Sequence, residues 1–153
     1  MVSLRLEPRH GSDECRLLSA LMRFSMDIHL SVAELKSMEA LESNCSKHIS
    51  VVNDIFSWDK ELRASQTCRE EGSALCSAVK ILANETNLSV DAAKRVLWSM
   101  VREWEGVHDR LVTEMATASE LSPGARDYIR GLEYQMSGNE LWSMTTPRYH
   151  VNP

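Results

Sequence analysis

Val51-Val52-Asn53-Asp54-Ile55-Phe56-Ser57-Trp58-Asp59-Lys60-Glu61 is the stretch on which the fold and chemistry of this chain turn. Asn53, Ser57 and Glu61 recur at every fourth position. Each helical step of four drifts by only about 40°, so the three side chains form one ridge roughly 12 Å long. All three offer oxygen: an amide carbonyl, a hydroxyl and a carboxylate. Hard divalent cations, Mg²⁺ above all, prefer such donors. Only Glu61 brings a full charge, so the ridge would hold Mg²⁺ weakly alone and leave positions for water and phosphate oxygens. Lys60 falls on nearly the same face, where its ammonium can reach a substrate anion. Ile49, Val52 and Phe56 flank the ridge, so it should border the buried side and need polar partners. Taken on spacing alone, a solvated stripe carrying an Asn and a Ser by chance is the simpler account.

Working outward, the pattern stays helical. Leu17, Leu21, Phe24 and Ile28 recur at helical spacing, with Leu18 and Met22 beside them. Ser31 and Glu34 form a capping box, and a helix follows with the apolar stripe Leu35, Met38, Leu41, Cys45, Ile49, Val52 and Phe56, extended by Leu62. Thr67 and Glu70 make a second box, which predicts a short helix carrying Leu75, Val79 and Leu82. Ser89, after Asn87, caps a long helix with the stripe Ala93, Val96, Leu97, Met100, Trp104, Val107, Leu111 and Met115. Ser122-Pro123 opens a last helix with Pro at its first position, and Tyr128, Leu132 and Met136 face inward there. Thr145-Thr146-Pro147 ends it before Arg148-Tyr149-His150. Nothing alternates with period two for long. The fold class is therefore all-α, with no repeat or linker dividing residues 1–153.

Composition narrows the function. The 153 residues carry 17 Lys+Arg against 22 Asp+Glu, a formal charge of −5, with 43% hydrophobic and 25% charged residues. That suits one globular domain. The acidic balance argues against a nucleic-acid partner. The apolar runs are too short for a membrane span, and the N-terminus has no apolar core of a secretory signal. Cys15, Cys45, Cys68 and Cys76 show no metal spacing and read as reduced thiols of a cytoplasmic protein. His29, His48, His108 and His150 likewise show no ligand spacing.

Asn53-Asp54-x-x-Ser57-x-x-x-Glu61 resembles the (N/D)DxxSxxxE metal motif of class I terpene cyclases. Asn139-Glu140-Leu141-Trp142-Ser143 and the later Arg148-Tyr149 resemble the NxxWS and terminal RY segments of that family, in the right order. With MRFSM, SKHISVVNDI and KRVLWSMVREWE, the chain from about Arg9 onward is similar to the fungal sesquiterpene cyclases, aristolochene synthases among them. It matches the C-terminal half of their α-helical domain, so residues 1–153 are expected to be a partial class I terpene synthase domain.

The resemblance implies that Asn53, Ser57 and Glu61 bind Mg²⁺. It implies that Lys60, Arg148, Tyr149 and Arg9 grip the diphosphate of the substrate, farnesyl diphosphate or another prenyl diphosphate. It assigns Trp142 to stabilising carbocations through its π face, and places Asn139 and Ser143 in the same pocket. The implied chemistry is metal-triggered loss of diphosphate, cyclisation and proton loss, giving a hydrocarbon such as aristolochene. A homodimer is a further implication. Two departures stand out. The family pattern RxxDxG after Arg9 has Ser12 at its Asp position and Glu14 at its Gly position, and residues 1–153 contain no DDxxD or DDxxE segment. The expected activity of this chain alone is therefore weak or nil. The alternative is a non-catalytic helical module that binds a full-length cyclase.

Overall fold

The computed structural model describes residues 11–67, 77–118 and 120–149, with the side chains of 11–16 and Thr67 left out. Among these residues all regular structure is helical: α1 (Gly11–Ser25), α2 (Val32–Ser37), α3 (Glu39–Thr67), α4 (Ala78–Thr86), α5 (Val90–Ala118) and α6 (Pro123–Thr145). The all-α expectation holds.

The capping signals explain most boundaries. At α2 the Ser31 hydroxyl accepts from the Glu34 N–H, while the Glu34 carboxylate accepts from the Ser31 N–H at 2.8 Å, a complete capping box. Ser89 accepts from the Ala92 N–H at 3.2 Å and starts α5. Ser122 accepts from the Ala125 N–H at 3.1 Å and starts α6, with Pro123 where a missing N–H costs nothing. α4 closes on Asn87 in the left-handed region, at φ 53°.

Three expectations need correction. The helix predicted to run on from Ser31 is broken at Met38, whose fully buried side chain is the pivot between α2 and α3. The short helix expected from Thr67 is capped instead by Ser77, whose hydroxyl accepts from the Val79 N–H. Thr67 ends α3, and Glu70 and Leu75 lie outside the described residues. On α1, Leu17, Leu21 and Phe24 face outward and only the following Ile28 is buried.

α3 is the central element and packs along its length on two different neighbours. Its first half, with Met38 just before it, joins α6 through Leu41, Cys45 and Ile49 against Tyr128, Ile129, Leu132 and Met136. Its second half joins α4 and α5 through Val51, Val52, Ile55 and Trp58 against Val79, Leu82, Leu97 and Val101. Burial on two sides suppresses a single apolar face, because the helix exchanges partners halfway along. Gly124 and Gly131 permit the closest approaches to α6. A Cβ at Gly124 would lie 2.8 Å from the His29 carbonyl oxygen, and one at Gly131 would overlap the Met22 sulfur. Among the described residues no helix is long and apolar enough to cross a membrane.

Candidate metal and diphosphate site

The ridge lies where α3 passes the end of α6. Ser57 is buried, at 2% exposure, while Asn53, Lys60 and Glu61 are half-buried. The ridge thus borders the core, as its flanking apolar residues imply. Ser57 Oγ has no hydrogen-bond partner among the described residues. A buried hydroxyl without a partner costs about 1–3 kcal/mol, so its retention calls for a reason.

The C-terminal segment folds back onto this ridge. α6 ends at Thr146, whose N–H donates to the Trp142 carbonyl at 2.8 Å, and the turn that follows carries Tyr149 across to α3. The Tyr149 hydroxyl donates to Asn53 Oδ1 at 2.5 Å. Trp142 meets the Tyr149 ring edge to face, with centroids 5.6 Å apart. Burial pushes the Tyr149 phenol up, and the nearby Glu61 carboxylate adds to this, while neighbouring Arg148 pulls it back. Asn53, Glu61, Trp142, Arg148 and Tyr149 therefore share one neighbourhood, although the tail residues are 89–96 positions from Asn53 in the chain.

The remaining expected residues are placed as follows. Arg148 is exposed and Lys60 is half-buried on the ridge. Asn139 donates to the Ile49 carbonyl at 3.4 Å, one turn before Asn53. Ser143 is fully buried and its Oγ has no partner among the described residues. Arg9 lies outside the described residues, as do Cys68, Cys76 and His150. Cys45 is buried, and its Sγ donates to the Leu132 carbonyl at 3.7 Å.

Sequence reasoning missed the work of Asp54. Its carboxylate accepts from the Ala78 N–H at 2.6 Å and so anchors the first turn of α4 to α3. Burial pushes its pKa up to about 6, opposed by the Ala78 N–H and reinforced by the Glu61 charge. No local signal announces a cap supplied from 24 residues away.

As a divalent site the donors fit. Asn53 and Glu61, half-buried and one of them anionic, flank the buried Ser57 hydroxyl, which has no partner among the described residues. That set suits a hard cation completed by water and phosphate oxygens.

The comparisons with known proteins show the family of the chain. Residues 6–105 match the family model described as terpene synthase family 2, C-terminal metal binding. The chain is 62% identical over 146 residues to aristolochene synthase of Penicillium roqueforti, covering 95% of this chain and 43% of that protein. It is 53% identical to aristolochene synthase of Aspergillus terreus, again over 95% of this chain, and covers 46% of that relative. The crystal structure of the Penicillium roqueforti enzyme superposes with a TM-score of 0.75 at 59% identity, over 87% of this chain and 43% of that one. The chain thus spans less than half the length of these curated relatives. With the matched metal-binding segment covering most of its length, the chain belongs to terpene synthase family 2, as part of the C-terminal metal-binding region of an all-α terpene synthase fold.

Proposed function

We propose that this chain is the metal-binding and diphosphate-gripping portion of a sesquiterpene cyclase that acts on farnesyl diphosphate. The observation that carries the reading is the fold-back of Tyr149 onto Asn53, which brings the C-terminal Arg-Tyr pair to the Asn53–Ser57–Glu61 ridge. In this reading Asn53, Ser57 and Glu61 hold Mg²⁺. When bound, the ion supplies positive charge that favours departure of the diphosphate from its allylic carbon. Lys60 and Arg148, with Arg9 from the chain's start, hold the departing anion. The Tyr149 hydroxyl would donate to the anion by turning from Asn53 Oδ1, which frees that oxygen for the ion, and its ring meets the indole of Trp142 edge to face. Trp142 is half-exposed, so its π face is open to a cationic carbon skeleton. Asn139 and Ser143, one turn apart on α6, complete this wall.

This chain alone should form little or no cyclic product, because its relatives are more than twice as long. Grafting it in place of the matching 43% of the Penicillium roqueforti enzyme should restore the pocket. With Mg²⁺ and farnesyl diphosphate the chimera should release a cyclic hydrocarbon, detected by gas chromatography of volatiles, and Glu61→Ala should abolish it. A folded but silent chimera, or full activity in Glu61→Ala, contradicts the assignment.

A second reading draws on the outward-facing Leu17, Leu21 and Phe24 of α1. The chain would then be a non-catalytic module that docks on a full-length cyclase, or pairs with itself as a homodimer. Co-expression with a full-length relative decides it by size-exclusion chromatography, since separate elution removes the docking idea.

A further inference from the structure

A second polar cluster lies on another face of α3. His48 precedes Asn53 by five residues, a rotation of about 140°, so it points away from the Asn53–Ser57–Glu61 ridge. It faces α5 and α6, where its Nε2 donates to Glu105 Oε1 at 3.2 Å. Glu140 of α6 joins them. The His48 ring nitrogen and one carboxylate oxygen from each glutamate lie within 4.8 Å of one another. These groups border a cleft of about 380 Å³, whose wall also includes His108, Met136 and Arg102.

Two features separate this cluster from an ordinary surface ion-pair network. His108 is 2% exposed, and neither of its ring nitrogens has a hydrogen-bond partner among the described residues. His48 is 1% exposed, and its Nδ1 is likewise without one. Two buried imidazoles with three idle nitrogens at one acidic cleft are costly unless something coordinates or bonds there. Burial lowers the pKa of both rings, opposed by the Glu105 and Glu140 charges at His48 and by the Glu133 and Asp109 charges at His108. The charge between the carboxylates is at present met by Arg102. It donates to Glu105 and, through two bonds of 2.6 and 3.0 Å, to Glu140. Arg102 is half-exposed and lies over the Trp98 ring at 5.1 Å, so it has a resting place outside the cluster.

We infer that the cleft between α3, α5 and α6 is a second cation site, for a transition-metal ion of the Zn²⁺ class held by His48, Glu105 and Glu140, with His108 in the same cleft and Arg102 as the competing cation. One imidazole and two carboxylates form a nitrogen–oxygen donor set that suits Zn²⁺ better than Mg²⁺. Loading moves the His48 proton from Nε2 to Nδ1, which has no bond to lose. The ligands come from three helices, so no local spacing in the sequence announces them.

Calorimetric titration of the chain with Zn²⁺ in Mg²⁺-free buffer tests this, with Co²⁺ absorption as the spectroscopic probe. One ion should bind per chain, and Glu61→Gln should leave that binding intact. Glu140→Gln should weaken it by more than roughly tenfold, at least the effect of losing an outer-shell partner. Arg102→Gln should tighten it by removing the competitor, a change that no purely structural ion pair predicts. Circular dichroism checks that each variant is folded, and because Glu140 and Arg102 are tested separately, one unfolded variant still leaves a decisive measurement. The absence of both heat and a Co²⁺ spectrum overturns the proposal. So does binding that is indifferent to Glu140→Gln, weaker in Arg102→Gln, or marked by a thiolate charge-transfer band.

Discussion

Ser57 lies on the ridge with its Oγ buried and without a partner among the described residues, while Asn53 beside it is already held by the Tyr149 hydroxyl. A buried hydroxyl left unbonded lowers stability, and a cation at the ridge would repay it by coordination. Ser57→Ala should therefore raise the stability of the metal-free chain by roughly 1 kcal/mol while weakening Mg²⁺–diphosphate binding. Urea denaturation and calorimetry read the two effects separately, and a variant that lost both would refute the coordinating role. Tyr128 makes the opposite case. It is fully buried, its hydroxyl donates to Glu42, and burial with that bond pushes its pKa well up. Tyr128→Phe removes the donor and leaves the partly buried Glu42 carboxylate short of a partner. The cost should be about 1–3 kcal/mol in urea denaturation.

Helix starts were the most legible elements, because caps act within three residues: Ser31–Glu34, Ser89 and Ser122-Pro123 all begin helices as read. The box at Ser31 also reaches across the fold, for the other oxygen of Glu34 accepts from the Ser122 hydroxyl at 2.6 Å and ties α2 to α6. That bond, then those from Ser31, hold the Glu34 pKa at about 2. Its folded value lies below the ordinary 4.5, so its contribution is complete above pH 4.5 and is lost as the pH falls toward 2. Glu34→Gln should lower the thermal midpoint at pH 7, and the gap to the parent should close across that acidic window. What the sequence could not reveal depended on partners distant in the chain. The stripe on α1 has the right period, yet no neighbour among the described residues covers Leu17, Leu21 and Phe24. The anchoring of α4 by Asp54, and the meeting of His48, Glu105 and Glu140, require α3, α4, α5 and α6 to be in place first. The glycines of α6 divide on the same principle. Ala favours a helix over Gly by about 1 kcal/mol. Gly138 has nothing within 4 Å of an added Cβ, so Gly138→Ala should stabilise by about that amount. At Gly124 the obstacle is the His29 backbone carbonyl at 2.8 Å, which cannot rotate away. Gly124→Ala should instead destabilise by roughly 1–3 kcal/mol, the range for overpacking, and thermal denaturation of the pair tests the contrast in sign.

Across the described residues, the exposed apolar side chains include Leu17, Leu21 and Phe24 on α1 and Leu141, Trp142 and Met144 near the end of α6. Exposed apolar patches of this kind mark contact surfaces. Here the chain spans only 43–46% of the aristolochene synthases it matches. The formal charge of −5 opposes self-association, but repulsion between exposed charges is screened beyond about 8 Å at physiological ionic strength. Contact between apolar patches is not screened in this way. Added salt should therefore increase self-association of the isolated chain, the reverse of what an ion-pair interface would do. Phe24 is 87% exposed, so Phe24→Ser removes contact area without opening a core cavity. Sedimentation velocity at low and high salt should show the parent shifting to larger species, with Phe24→Ser markedly less affected. Its thermal midpoint should stay close to that of the parent, because the two cores built around α3 do not include this residue. A variant that associates as strongly as the parent, or that loses stability instead, would move the interface away from α1.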